Sequence, residues 1–116
     1  MPEERFKPIK LFQKGRVARP RGGDSTFVGH RYKGNYTLDE IRKFFFHISK
    51  KIKDMYPEST TIFAVIKNEG GNPPYITTKH VKPGERMIVD HKYEESLDTI
   101  FQFDIIYEVP VKYLKD

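Results

Sequence analysis

Residues 36–57 read YTLDEIRKFFFHISKKIKDMYP, and this stretch decides the fold. Thr37 followed by Glu40 forms a capping box, in which each side chain accepts a hydrogen bond from the other residue's free backbone N–H. Tyr36 and Ile41 are spaced to make a hydrophobic staple across it. Leu38, Ile41, Phe45, Ile48, Ile52 and Met55 recur at alternating three and four, the spacing of one buried face. Lys50, Lys51 and Lys53 suit the negative end of the helix dipole, and Pro57 stops the helix. The pattern predicts a helix from Leu38 to about Tyr56.

Working outward toward the C-terminus, the period changes from that of a helix to that of strands. Residues 60–67 (TTIFAVIK) are β-branched and apolar on both faces, which marks a central strand. Residues 69–74 (EGGNPP) read as a loop. Tyr75–Lys79 and Arg86–His91 are predicted as short strands around a Pro83–Gly84 turn, with the outer ones as candidate sheet edges. Thr99–Val109 alternates, with Phe101, Phe103, Ile105, Tyr107 and Val109 facing one way and Gln102, Asp104 and Glu108 the other. Pro110 then removes one ladder donor. Either the last strand lies at the sheet edge from there on, or Val111, Tyr113 and Leu114 leave to dock on a partner.

Toward the N-terminus the composition changes. Residues 1–35 hold nine Lys/Arg against three acids, a net +6, while the other 81 residues carry −1 of the total +5. Pro2, Pro8, Pro20 and the pair Gly22–Gly23 break any helix there. Lys7, Lys10, Lys14, Arg16, Arg19 and Arg21 are spaced by two to four, roughly 6–14 Å in an extended chain. That is comparable to the phosphate spacing of a nucleic-acid strand. Ile9, Leu11, Phe12 and Val17 are the apolar anchors before Phe27, and a short strand is expected around Phe27–Tyr32. Connections after the helix are too short for βαβ crossovers. The fold class that follows is α+β: one amphipathic helix packed on a small, mainly antiparallel sheet of three to five strands. An extended basic N-terminal arm over residues 1–33 precedes a small α+β domain over residues 34–116.

The chain has 116 residues and no cysteine, which excludes disulfides and every thiolate nucleophile or metal ligand. Its longest apolar runs, Phe44–Phe46 and Ile62–Ile66, are too short to span a bilayer. Residues 1–10 carry no apolar core of a secretory signal. These features set the expectation of an intracellular (cytoplasmic) or particle-associated protein that makes no use of a membrane.

No constellation of catalytic residues stands out. Ser25, Ser49, Ser59 and Ser96 lie in no nucleophile elbow, and the Gly70–Pro74 loop lacks the lysine and helix start of a phosphate cradle. His30, His47, His80 and His91 are scattered without metal-ligand spacing; His80 and His91 could meet across the Pro83–Gly84 turn only as surface histidines. Asp90, Glu94, Glu95 and Asp98 form a solvated acidic turn, or a receptor for a neighbouring copy's arm. No enzyme activity, metal or cofactor is expected. A small metal-dependent nuclease is the enzymatic alternative, and it would need those acids to converge.

What stands out is binding chemistry. The arm, with Arg31 and Lys33 at its end, suits an anionic partner, and Arg19–Gly23 reads as one Arg-Gly-Gly element that can stack on bases and pair with phosphates. Its plainer reading is a solvated tail. On the helix, Phe46 lies about 130° from the buried stripe, framed by Arg42, Lys43 and Lys50. An exposed phenylalanine among cations suits base stacking or a protein interface; its plainer reading is an isolated surface ring. The expected role is a non-enzymatic structural or adaptor subunit of a larger assembly, virion- or nucleoprotein-particle-like. It would dock through the arm onto other protein subunits, nucleic acid, or further copies of itself. The alternative is a free-standing nucleic-acid-binding module that prefers single strands or shape.

Overall fold

Five strands and one helix follow one another as β1 (Lys10–Arg19), β2 (Gly23–Tyr36), α1 (Leu38–Met55), β3 (Ile62–Asn68), β4 (Tyr75–Thr77) and β5 (Ile100–Pro110). The computed structural model describes residues 6–19, 23–68, 74–97 and 100–114, without the side chains of 14–19, 23, 95, 96 and 114. The strands form one sheet in the order β1-β2-β5-β3-β4, with every neighbouring pair antiparallel. One helix on a five-stranded antiparallel sheet is an α+β fold.

β2 and β3 flank β5 and both run against it, so they run parallel to each other, joined through α1. Residues 37–61 are thus a strand–helix–strand crossover split by β5, which corrects the expectation that no crossover occurs. The connection that makes it lies before β3, where residues 23–36 supply a full strand. Of the segment read as an arm, residues 10–19 and 23–33 lie in β1 and β2, while residues 1–5 and 20–22 lie outside the described residues. Val28, His30 and Tyr32 alternate toward α1, so the basic residues between them occupy the opposite face.

The helix starts as its cap dictates. Thr37 Oγ1 accepts from Glu40 N at 3.2 Å, and Glu40 Oε1 accepts from Thr37 N at 3.0 Å. Tyr36 and Ile41, the staple pair, are both buried. The buried stripe is Ile41, Phe44, Phe45, Ser49 and Ile52. Each apolar member contributes roughly 1.5–3 kcal/mol over its exposed state. Phe44 joins the stripe because Phe6 stacks on it at 4.1 Å and 7°. Met55 is 55% exposed, a correction to the expected stripe.

Phe6 also stacks on Tyr36 at 5.0 Å, and Tyr32 stacks on Phe103 at 4.8 Å, giving one aromatic layer between helix and sheet. The expected N-terminal anchors behave differently. Ile9 is 57% and Leu11 66% exposed, because β1 is the sheet edge and the helix-side core does not reach Leu11. Phe12 lies on the opposite face, and the side chain of Val17 is outside the description.

Three further expectations change. Arg86–His91 is not a strand: Met87 and Val89 tuck into the core while Ile88 stays exposed, and a single backbone bond, Lys79 N to Ile88 O at 3.0 Å, replaces a ladder. A 3₁₀ turn over His91–Ser96 follows. In β5 the register shifts against both neighbours next to Ile100, so Ile100 is fully buried and Phe101 is 38% exposed. Pro110 ends a central strand instead of marking an edge, opposite Ser25, and a 3₁₀ turn Val111–Leu114 comes after it.

Candidate nucleic-acid interface

β5 is buried on both faces, yet α1 covers only one. Phe103, Ile105, Tyr107 and Val109 lie on the helix side. On the other side Gln102, Asp104, Ile106 and Glu108 are each 3–7% exposed, although among the described residues no helix packs on that face. Neighbouring side chains do the covering. Residues directly opposed in an antiparallel ladder share a face, so the registers map this open face in rows across the strands. One row is Lys10, Arg31, Asp104, Val65 and Thr77; the next is Phe12, Gly29, Ile106 and Phe63. Lys33, Gln102, Lys67 and Tyr75 form a third, and Phe27 with Glu108 a fourth.

The Phe12 row is aromatic. Gly29 permits it: a β-carbon there would overlap the outer edge of the Phe12 ring, so the ring takes the space a side chain would fill. Phe27 and Phe63 meet edge to face at 6.4 Å, on either side of Ile106. His80 stacks on Phe63 at 4.0 Å with ring planes 3° apart. From Phe12 to Phe63 the row crosses three strand spacings, about 14 Å. Phe12, Phe27 and Phe63 are half-buried, and Tyr75 is 56% exposed.

Acids on this face are bonded from within. Arg31 Nε and Nη2 donate to the two Asp104 oxygens at 3.0 and 3.1 Å, and this hydrogen bonding raises the guanidinium pKa above its ordinary value. The Arg31 guanidinium also sits 5.5 Å from the Phe12 ring centre. Glu108 accepts from Ser25 Oγ at 2.8 Å, and from Thr60 N and Oγ1 at 2.9 and 2.7 Å. Lys10, Lys33 and Lys67 pair with no carboxylate among the described residues. The unbalanced charge around the rings is therefore positive.

The residues singled out in the sequence divide accordingly. Lys10, Arg31 and Lys33 lie on this face, Arg31 as an ion-paired cation and the two lysines exposed. Lys7 is exposed just before β1. The backbones of Lys14, Arg16 and Arg19 lie in β1, but their side chains and all of Arg21 are outside the described residues. Arg42, Phe46 and Lys50 are on α1, away from the open face. Arg42 is not free: it pairs with Glu94, which holds the Glu94 carboxyl below its ordinary value. Phe46 is half-buried between two cations, Lys50 Nζ at 4.6 Å and the Arg86 guanidinium at 4.1 Å. Arg86 completes a cluster that only the path of residues 78–90 brings together.

Phe12, Phe27, Phe63, Lys67 and Tyr75 lie on this face and were not among the site residues singled out in the sequence. One signal could have found Phe63: residues 60–67 are apolar on both faces, and a chain with one helix can cover only one.

Elsewhere the polar groups are structural. His30 Nε2 meets the Tyr107 hydroxyl at 2.8 Å, and the Tyr32 hydroxyl lies 3.4 Å from His30 Nδ1. Burial lowers the His30 pKa, pushes Tyr107 up to about 12 and raises Tyr32 further. Asp90 caps the 3₁₀ turn through Lys92 N, and His91 Nδ1 lies 3.6 Å from Glu94. Asp98 is outside the described residues. Among the described residues, no three His, Asp or Glu converge as metal ligands, and no helix is long and apolar enough to cross a membrane. Compared with family models, curated proteins and solved structures, the chain matches none.

Proposed function

We propose that this protein is a non-enzymatic binding subunit that holds single-stranded nucleic acid on the open face of its sheet. The observation that carries this reading is the Phe12–Gly29–Ile106–Phe63 row, with Lys10 one row and Lys33 and Lys67 two rows along the same face, none of the three paired with a carboxylate among the described residues. Base–aromatic stacking contributes about 1–3 kcal/mol per base and tolerates any sequence. The lysines supply the salt-sensitive phosphate term. Aromatic rings on a sheet face stack two or three bases in RNA-binding sheets, which suits a row about 14 Å long. A duplex hides its base faces and offers this surface only phosphates. An intracellular or particle-associated setting goes with such a partner, and Lys7, just before β1, would add a further cation.

Fluorescence anisotropy with labelled single-stranded and duplex oligonucleotides across a salt series tests this. The full chain should bind single strands more tightly than duplex. Phe12→Ala, at the sheet edge and least coupled to folding, should weaken single-strand binding about tenfold. Equal affinity for both forms, unchanged by Phe12→Ala, would sink the reading.

An assembly role has its own observation. β1 is an edge strand ten residues long, and Ile9 just before it and Leu11 within it are 57% and 66% exposed. Such an edge is a template for pairing with a neighbouring chain. Light scattering should then show a complex that Leu11→Lys dissolves; a monomer at all concentrations would count against self-assembly.

A further inference from the structure

At the opposite end of β3 from Lys67, the start of that strand meets the end of α1 over a cleft of about 250 Å³ lined by Lys53, Pro57, Ser59, Thr60, Lys82 and Pro83. We propose that this cleft is an anion site for a phosphate group, held between the Lys53 and Lys82 ammonium groups. The proposal stands apart from the sheet-face reading; the two share Glu108, whose carboxylate holds Thr60 at the cleft wall.

The walls are fixed by internal bonds. Ser49, fully buried on α1, accepts from Gly84 N at 2.8 Å and donates to Glu85 O at 2.9 Å, which pins the turn after Pro83 to the helix. Gly84 has φ +96°, a conformation that favours glycine. The Lys53 stem also occupies its open side: the Lys53 Cδ lies 2.7 Å from where a β-carbon would stand. The stem is thereby laid over the turn, with its Nζ 3.6 Å from the same point, and Lys53 lines the cleft together with Pro83. On the facing wall, Ser59 Oγ donates to Glu108 O, and Thr60 is tied to the Glu108 carboxylate through N and Oγ1.

Charge selects the ligand. Neither Lys53 nor Lys82 pairs with a carboxylate among the described residues. Of the nearby acids, Glu58 binds Lys112 and the Tyr113 hydroxyl, Glu85 accepts from the backbone N of Lys82 at 2.8 Å, and Glu108 accepts from Ser25 and Thr60. Two ammonium groups beside rigid proline walls favour a compact dianion, with lysine acting as a point charge on phosphate. The volume is below the roughly 300–1,000 Å³ of pockets that take drug-sized ligands. It suits a phosphoryl group with at most a small substituent.

The test is an amide NMR titration of the full chain with inorganic phosphate, with chloride at matched ionic strength as control. Saturable shifts are expected at Lys53, Ser59, Thr60, Lys82 and Gly84. Lys53→Met keeps the stem over Gly84 and removes the charge; it and Lys82→Met should each weaken phosphate binding about tenfold. Shifts equal to those of chloride, or unaffected by both variants, would overturn the proposal. A second arm separates two sources of the same group. If the cleft takes the end of a nucleic-acid strand, a 5′-phosphorylated oligonucleotide binds more tightly than its 5′-hydroxyl counterpart, and the advantage disappears in the lysine variants. If it takes free phosphate, the oligonucleotides do not differ. Phe12→Ala leaves phosphate binding intact, so failure of the sheet-face reading and failure of this one are distinguishable.

Discussion

Replacing Asp104 with asparagine should move stability and binding in opposite directions. Asp104 receives both Arg31 nitrogens at 3.0 and 3.1 Å, with the two side chains 10% and 31% exposed. Exposed pairs contribute about 0.2–1 kcal/mol, whereas breaking a buried pair costs about 3–5. A half-buried bidentate pair falls between, so Asp104→Asn should destabilise by about 2 kcal/mol. For a domain of this size that lowers Tm by about 10 °C. The same change frees one cation beside the Phe12 ring. Single-strand affinity at low salt should rise about fivefold, equivalent to about 1 kcal/mol. The slope of log affinity against log salt should steepen by about 0.7. Thermal unfolding followed by circular dichroism reads the first effect, and anisotropy with a labelled oligothymidylate reads the second. An unchanged Tm would refute the role of the ion pair, and weaker binding would refute the placement of Arg31 beside the ligand.

Three further substitutions follow from particular contacts. Gly29→Ala drives the Phe12 ring off the strand, so it should weaken single-strand binding as much as Phe12→Ala does, at a stability cost of about 1 kcal/mol; anisotropy and urea denaturation check both. Gly84→Ala meets a positive φ and the Lys53 stem together, and should cost about 1–3 kcal/mol in urea denaturation. His30 takes a proton less readily when folded than when unfolded, because burial lowers its pKa from 6.5. Its contribution is therefore complete above about pH 6.5 and is lost as pH falls below that value. His30→Gln should flatten the decline in urea midpoint between about pH 6.5 and 5; an unchanged slope would place the proton uptake elsewhere.

The helix was legible because its determinants are local. A capping box at Thr37 and Glu40, an apolar recurrence and a proline stop all lie within 22 residues. The helix side of β5 was legible for the same reason from Phe103 to Val109. Phe101 was misassigned because the register shifts that expose it are set by β2 and β3, from residues 33–36 and 67–68, and leave no mark in β5 itself. Arg31 looked like a free cation because its partner lies 73 residues away. β2 was legible only in part: a short strand was expected around Phe27–Tyr32, while the surrounding charge drew the rest of Gly23–Tyr36 toward an arm. Arg86 joined Phe46 only through the path of residues 78–90. The open face was implied by the both-face apolarity of residues 60–67 beside a single helix. Its aromatic row also required the Phe12–Gly29 and Phe63–Ile106 registers, which span most of the chain.

The most direct measurement is amide chemical-shift mapping of the full chain as a short single-stranded oligonucleotide is added. Binding on the open sheet face predicts shifts concentrated at Phe12, Phe27, Arg31, Phe63 and Val65, with the α1 residues Ile41, Phe45 and Ile52 unmoved. Shifts confined to residues 1–22, or to the helix around Phe46, would contradict it.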